Sequence, residues 1–156
     1  TFSSGLAASS AVLSLLEAGD HIICAEDIYG GALQLIRKIS VAHHAVEAAF
    51  VDLTISGELE KAFKQNTKMI WFESPSNPLL KVVDIQKVVA TVRKANPDII
   101  IVVDNIFMTP YFQRPLSLGV DIVVHSLTKY INGHSDVLMG CAMTDREDAK
   151  EHLFFQ

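Results

Sequence analysis

The chain has 156 residues, of which 49% are hydrophobic, enough for one domain with a substantial core. Its longest apolar runs have the length of a strand, well short of the ~20 residues that a membrane helix needs. The formal net charge is −5, with 18 acidic against 13 basic residues and no basic cluster, which argues against a nucleic-acid-binding surface.

The two cysteines, Cys24 and Cys141, both lie in apolar runs. This placement predicts buried free thiols and no disulfide framework, as expected in a reducing compartment. The start of the chain carries no recognisable signal peptide. We therefore expect a cytoplasmic protein that neither spans a membrane nor binds nucleic acid.

The hydrophobic pattern alternates between strands and helices along the chain. Hydroxyl residues before Gly5 are a capping signal for a helix over residues 6–18. The later predicted helices cover 31–43, 57–66, 84–95 and 146 onward, and the predicted strands cover 21–25, 46–51, 69–72, 99–103, 121–124 and 136–143. This alternation predicts an α/β fold, a mostly parallel, doubly wound sheet with helices on both faces, in a single domain 1–156.

Two of the predicted strands end next to residues that can do chemistry. Asp104 closes the apolar run 99–103, and Lys129 follows the run 120–124 with Ser126 and Thr128 beside it. Ligands of open α/β sheets bind at the carboxyl ends of such strands, so we expect both groups at one rim. A lysine that bonds to a cofactor aldehyde and an acid that pairs with a pyridinium nitrogen are what a pyridoxal-phosphate (PLP) enzyme needs. Taken alone, Lys129 is more typical of a solvated lysine in a turn, and Asp104 is also compatible with a helix cap or a structural hydrogen bond to a neighbouring loop.

Two further features are compatible with a cofactor site. The helix that begins at Gly5 and Leu6 would offer backbone N–H groups to an anion, although an ordinary helix cap has the same sequence. Tyr29 precedes Gly30 and Gly31, which leave room for its ring to stack on a flat cofactor or to pack at a loop edge. The histidines form no metal-ligand pattern.

Several motifs occur together in the order of one known family. They are the segments 2–8, 29–31, 73–78, 103–105 and 121–135, and they span nearly the whole chain. On these motifs the chain resembles the Cys/Met-metabolism (transsulfuration) enzymes, which bind PLP on a large domain of fold type I, the aspartate-aminotransferase-like fold. Within that family, the segment 107–116 is most similar to cystathionine γ-lyases.

The resemblance implies a role for each matching side chain around the cofactor ring. Lys129 would bond covalently to PLP and, once freed by the substrate, move protons. Asp104 would pair with the pyridine nitrogen, Tyr29 would stack on the ring and help to activate the incoming amine, and Asn77 would lie near the phenolic oxygen. The family usually has threonine where this chain has Ile106.

The resemblance also implies how the phosphate is held. Backbone groups of Gly5 and Leu6 and the hydroxyls of Ser126 and Thr128 would surround it. In the family an N-terminal arm adds a tyrosine and an arginine to the neighbouring subunit's phosphate site, and a C-terminal domain adds the arginine that holds the substrate carboxylate. We expect this chain to be a partial PLP-binding large domain that lacks both segments.

The reaction implied for the family member is a γ-elimination. Cystathionine, or a related sulfur amino acid, would be the small-molecule substrate, with cysteine, 2-oxobutanoate and ammonia as products, and the enzyme would be a homotetramer built as a dimer of dimers. Cystathionine γ-synthase and methionine γ-lyase activities remain open alternatives. So does a truncated relative without catalysis.

Overall fold

A six-stranded sheet forms the centre of the computed structural model, which describes residues 1–154. The strands are β1 His21–Ala25, β2 Glu47–Val51, β3 Thr67–Glu73, β4 Ile100–Asp104, β5 Ile122–Ser126 and β6 Gly140–Thr144. Their order across the sheet is β2-β1-β3-β4-β5-β6. The first five are parallel and β6 is antiparallel to β5, which confirms the predicted mostly parallel α/β sheet.

Helices connect the strands and cover the sheet. They are α1 Gly5–Leu13, α2 Gly30–Leu35, α3 Ala42–His44, α4 Glu58–Ala62, α5 Ile85–Ala95, α6 Thr109–Phe112 and α7 Glu147–Phe154. A π-helical segment, Ile36–Val41, joins α2 to α3, and a 3₁₀ turn, Pro115–Leu118, precedes β5. The chain steps from β1 to the edge strand β2 and then returns past β1, so right-handed crossovers put α2 and α4 on opposite faces. The fold is therefore doubly wound.

The core lies on both faces of the central strands. Ile22, Ile23, Trp71 and Phe72 have no solvent exposure. Strands of a parallel sheet that is covered on both sides are expected to be apolar throughout, without alternation. Within residues 1–154, none of the helices has the length and apolar character needed to cross a membrane.

Two predicted helices end earlier than their sequence patterns indicate. Helix α1 stops at Leu13 because the backbone enters a turn there. The Ser14 hydroxyl donates to the Ala11 carbonyl oxygen at 2.7 Å. Helix α4 stops at Ala62, and Phe63 then takes an extended backbone conformation. The prediction of helix to residues 18 and 66 was wrong, because local polar contacts and turns override apolar spacing at both ends.

The last strand also differs from its prediction. Residues 136–139 form a loop, and β6 begins only at Gly140. Cys24 is buried as predicted, whereas Cys141 is only half-buried because β6 is an edge strand. The short helix α6 and the 3₁₀ turn were not predicted.

A backbone bridge fixes the start of the chain to β6. Phe2 N–H donates to the Gly140 carbonyl oxygen at 2.8 Å, and Gly140 N–H donates to the Phe2 carbonyl oxygen at 2.9 Å. A Cβ atom on Gly140 would lie 2.1 Å from the carbonyl oxygen of Ser4, the residue that caps α1. Only glycine allows the helix end and the strand to approach this closely.

Replacing Gly140 with Ala should therefore destabilise the protein. Overpacking against fixed backbone costs about 1–3 kcal/mol, so we expect the thermal midpoint of the full-length protein to fall by about 1–4 °C. The matched control is Gly30→Ala, because a Cβ on Gly30 would meet nothing within 4 Å. Equal midpoints for the two variants would show that this contact is not restrictive.

Candidate active site

A cavity of about 770 Å³ opens at the carboxyl ends of the parallel strands. This volume lies within the range of about 300–1,000 Å³ that is usual for small-molecule sites. The structure brings all of the site residues proposed from the sequence to its walls, namely Gly5, Leu6, Tyr29, Asn77, Asp104, Ser126, Thr128 and Lys129. The last residues of β4 and β5 and the loops that follow β1, β3 and β5 supply six of these eight, as expected for an open α/β sheet.

The N-terminus of α1 forms one wall of the cavity. The Ser4 hydroxyl accepts a hydrogen bond from Ala7 N–H at 3.0 Å and thereby caps the helix. The residues at the helix end, Gly5 and Leu6, line the cavity. A Cβ on Gly5 would lie 2.7 Å from Cβ of Ser126, so glycine is required for the helix end to reach β5. The positive end of the helix dipole and the first backbone amides therefore suit an anion at this position.

The two hydroxyl residues at the carboxyl end of β5, Ser126 and Thr128, differ in their surroundings. Thr128 Oγ1 donates to the Met139 carbonyl oxygen at 3.2 Å and accepts from Met139 N–H at 3.0 Å. Within residues 1–154, the Ser126 hydroxyl has no hydrogen-bond partner. Ser126 is thus the hydroxyl that is free to donate to a ligand, whereas the proton of Thr128 ties the loop after β5 to the start of β6.

Lys129 lies on the turn that follows β5. Its backbone carbonyl accepts from Gly133 N–H at 2.7 Å, which closes the turn. The side chain is exposed and, among the residues that the structure describes, forms no ion pair. It is also the one cationic side chain in the described wall of the cavity. Its amine is therefore available to a ligand.

Two carboxyl groups occupy matching positions at the ends of neighbouring strands. The register pairs Glu73 on β3 with Asp104 on β4, and both line the cavity. Burial raises the pKa of Asp104 to about 7, although Ile106 N–H donates to its Oδ1 at 3.1 Å. Burial, followed by the nearby charge of Asp104, raises the pKa of Glu73 to about 8. A cation that enters the cavity would relieve this unfavourable pairing.

Tyr29 stands at the start of α2 and is 48% exposed. Its backbone N–H donates to Oε1 of the buried Glu73 at 2.8 Å. A Cβ on Gly31 would lie 2.5 Å from Cε1 of the tyrosine ring. The lack of a side chain at Gly31 therefore leaves the space that the ring occupies at the cavity wall. Asn77 is half-buried in the loop after β3.

Sequence reasoning did not select every residue that lines the cavity. Glu73 was not selected, although it closes the buried strand β3 as Asp104 closes β4. Ile106, Phe107 and Tyr130 also line the cavity, and the last two rings lie 6.3 Å apart between centroids. The sequence already pointed to Glu73, because burying a carboxylate at the end of an apolar run is costly unless the charge is paired.

A sequence model of the family described as "Cys/Met metabolism PLP-dependent enzyme" matches residues 1–156. The chain belongs to this family. It is 64% identical over 154 residues to "Putative cystathionine gamma-lyase 2" of Caenorhabditis elegans, and 50% identical over 154 residues to a cystathionine β-lyase of Lactococcus lactis subsp. cremoris (strain MG1363). It is similar, with a TM-score of 0.93 and 40% identity, to the crystal structure of cystathionine γ-lyase from Lactobacillus plantarum complexed with L-serine.

These similarities extend over only part of each relative. Each covers 99% of this chain, but 39% of the Caenorhabditis protein and 40% of the other two. The chain therefore spans about 40% of the length of the relatives that it matches. The findings confirm the predicted family, its PLP cofactor and the fold type I large domain.

The residues in the cavity fit PLP. A free amine on Lys129 and a carboxylate on Asp104 match the aldehyde and the pyridine nitrogen in chemical type. The helix end at Gly5, with the unpartnered hydroxyl of Ser126, matches the phosphate. The cradle also depends on the absence of a side chain at Gly5, which a substitution would fill.

Proposed function

We propose that the full-length protein is a PLP-dependent carbon–sulfur lyase that cleaves cystathionine by γ-elimination to cysteine, 2-oxobutanoate and ammonia. The observation that carries this proposal is the convergence of Lys129, Asp104 and the α1 N-terminus on one cavity. The names of the similar proteins support a sulfur amino acid as the substrate class.

Around the ring, the proposal gives each side chain a separate task. PLP supplies the electron sink that lets a γ-substituent leave. Lys129 attaches the cofactor and then carries protons between carbon atoms of the substrate as a general acid and base. Asp104 would keep the pyridine nitrogen protonated, Tyr29 would stack on the ring and help to activate the substrate amine, and Asn77 would lie near the phenolic oxygen.

At the phosphate, the proposal assigns the main binding to backbone and hydroxyl groups. The amides of Gly5 and Leu6 and the hydroxyl of Ser126 would donate to the phosphate oxygens. Thr128 contributes chiefly by fixing the loop through Met139, since its proton is already bonded there. This division refines the equal role that the family resemblance implies for the two hydroxyls.

The charge balance of the cavity supports a homo-oligomer. The described wall carries one cationic side chain, Lys129, and two acids, Glu73 and Asp104. The cofactor phosphate and the substrate carboxylate bring further negative charge. We infer that cations from a neighbouring subunit and from another segment of the protein complete the site, in a tetramer of two dimers. The free thiols Cys24 and Cys141 support a cytoplasmic location.

Product analysis tests the proposed reaction. The full-length protein, loaded with PLP and given cystathionine, should release cysteine and 2-oxobutanoate. Homocysteine and pyruvate would instead identify a β-lyase, the activity named for the Lactococcus relative. Turnover only of methionine, or only of O-acylated homoserine with cysteine, would identify the other family reactions. A PLP-loaded protein inactive on all of these would contradict the enzyme proposal.

A further inference from the structure

A buried carboxyl group connects two walls of the cavity. Glu73 is 2% exposed, and its Oε1 accepts the Tyr29 backbone N–H at 2.8 Å. Its other oxygen, Oε2, is fully buried and has no hydrogen-bond partner. None of the roles given above uses this side chain, although it lies between the acid and the aromatic residue that would face the ring.

We propose that Glu73 is a positioning residue of the cofactor site, whose protonated carboxyl group fixes the Tyr29 backbone and leaves Asp104 as the charged acid that faces the ring. This inference rests on the proposed PLP site and deepens it. Glu73 acts through Tyr29, and it needs no direct contact with the cofactor.

The surroundings of Glu73 favour its neutral form. Asp104 on β4 and Asp27 in the loop after β1 are the acids that act on it, while Lys129 is the one cationic side chain in the described wall of the cavity. Within residues 1–154, no cation forms an ion pair with Glu73. A buried carboxylate with an unpartnered oxygen and an acid beside it is costly, and a proton lowers that cost because it removes the buried negative charge.

The neutral form also explains how one group can serve Tyr29 without disturbing Asp104. The carbonyl oxygen of a protonated carboxyl group accepts the Tyr29 N–H as a carboxylate oxygen does. If Glu73 were also charged, the two neighbouring carboxylates would repel each other and bind protons more strongly. Asp104 would then be a less suitable single negative partner for one pyridinium. The required group is therefore a neutral acceptor of this length, which glutamine also provides.

Matched substitutions in the full-length protein test this role at pH 7. Equilibrium binding of PLP to the apoprotein should be within about twofold of wild type in Glu73→Gln, because glutamine keeps the acceptor and the neutral charge. Glu73→Ala should weaken PLP binding by about 5- to 100-fold, because the Tyr29 amide loses its acceptor. Glu60→Ala, at an exposed position on α4, is the control and should bind as wild type does.

A double-mutant cycle separates positioning from general destabilisation. In a Tyr29→Ala background, which has no ring to position, Glu73→Ala should cost less than about twofold in PLP affinity. An equal loss in both backgrounds would overturn the role through Tyr29. A loss in Glu73→Gln as large as in Glu73→Ala would overturn the neutral form. Failure of the wild-type protein to bind PLP would refute the proposed function and this inference together, whereas normal binding by Glu73→Ala would refute the inference alone.

Discussion

Replacing Lys129 with Ala should remove the visible absorption band of the lysine-bound cofactor and reduce activity by at least about 10²-fold. The variant loses the attachment nucleophile, and a general acid–base group alone contributes about 10²–10⁴-fold. The exposed side chain has no ion pair in the described part of the chain, so its loss should leave the fold intact. Borohydride reduction of the wild-type protein, followed by mass spectrometry, should place the pyridoxyl group on Lys129.

Two further variants identify the property of Lys129 that matters. Lys129→Arg keeps a positive charge but cannot form the covalent bond, because a guanidinium does not give up its proton at working pH. It should be as inactive as Lys129→Ala if attachment is the function, and active if only charge is needed. Lys94→Ala, at an exposed position on α5, should retain both the band and the activity. A pyridoxyl group mapped to another lysine would refute the assignment.

The parts of the fold that sequence reasoning reached are those with a strong local signal. The run 99–103 is apolar at every position, which is the pattern expected of a parallel strand that is buried on both faces. Asp104 and Lys129 then follow at one rim, because parallel strands end on the same side of the sheet. The residues that line the cavity could therefore be predicted from the ends of the strands and from the family motifs.

Features that depend on distant contacts were not accessible in the same way. The antiparallel direction of β6 is shown only by its pairing with β5, although the lack of a helix between the two strands agrees with it, since a parallel return needs a long crossover. The bond between Thr128 and Met139 joins two loops, and no local pattern encodes it. Glu73 was visible in the sequence as an acid at the end of an apolar run, but its register with Asp104 and its contact with the Tyr29 backbone depend on the fold.

Replacing Asp104 with Asn should weaken PLP binding by about 10- to 100-fold, since a hydrogen bond to a charged group is worth about 1.5–3 kcal/mol. Asparagine keeps the shape and can still accept the Ile106 N–H, so the loss reports the charge. Burial raises the pKa of Asp104 to about 7. The wild-type affinity for PLP should therefore fall as the pH drops below about 7, because Asp104 gains a proton and loses its attraction for the pyridinium. The Asn variant should lack this acid-side loss, and Asp98→Asn, at an exposed position, should retain it.

The stability of the apoprotein should change in the opposite direction. The pKa of Asp104 is higher in the folded protein, at about 7, than the ~3.9 of an unfolded chain. The folded state therefore binds more protons, and the charged carboxylate destabilises it increasingly as the pH rises between these values. At pH 8 without PLP, Asp104→Asn should melt at a higher temperature than wild type, while it binds PLP more weakly. A lower melting temperature together with a lower PLP affinity in Asp104→Asn would show that Asp104 is a structural hydrogen-bond acceptor. A higher melting temperature with a lower affinity would show that the buried charge of Asp104 serves the ligand and destabilises the apoprotein.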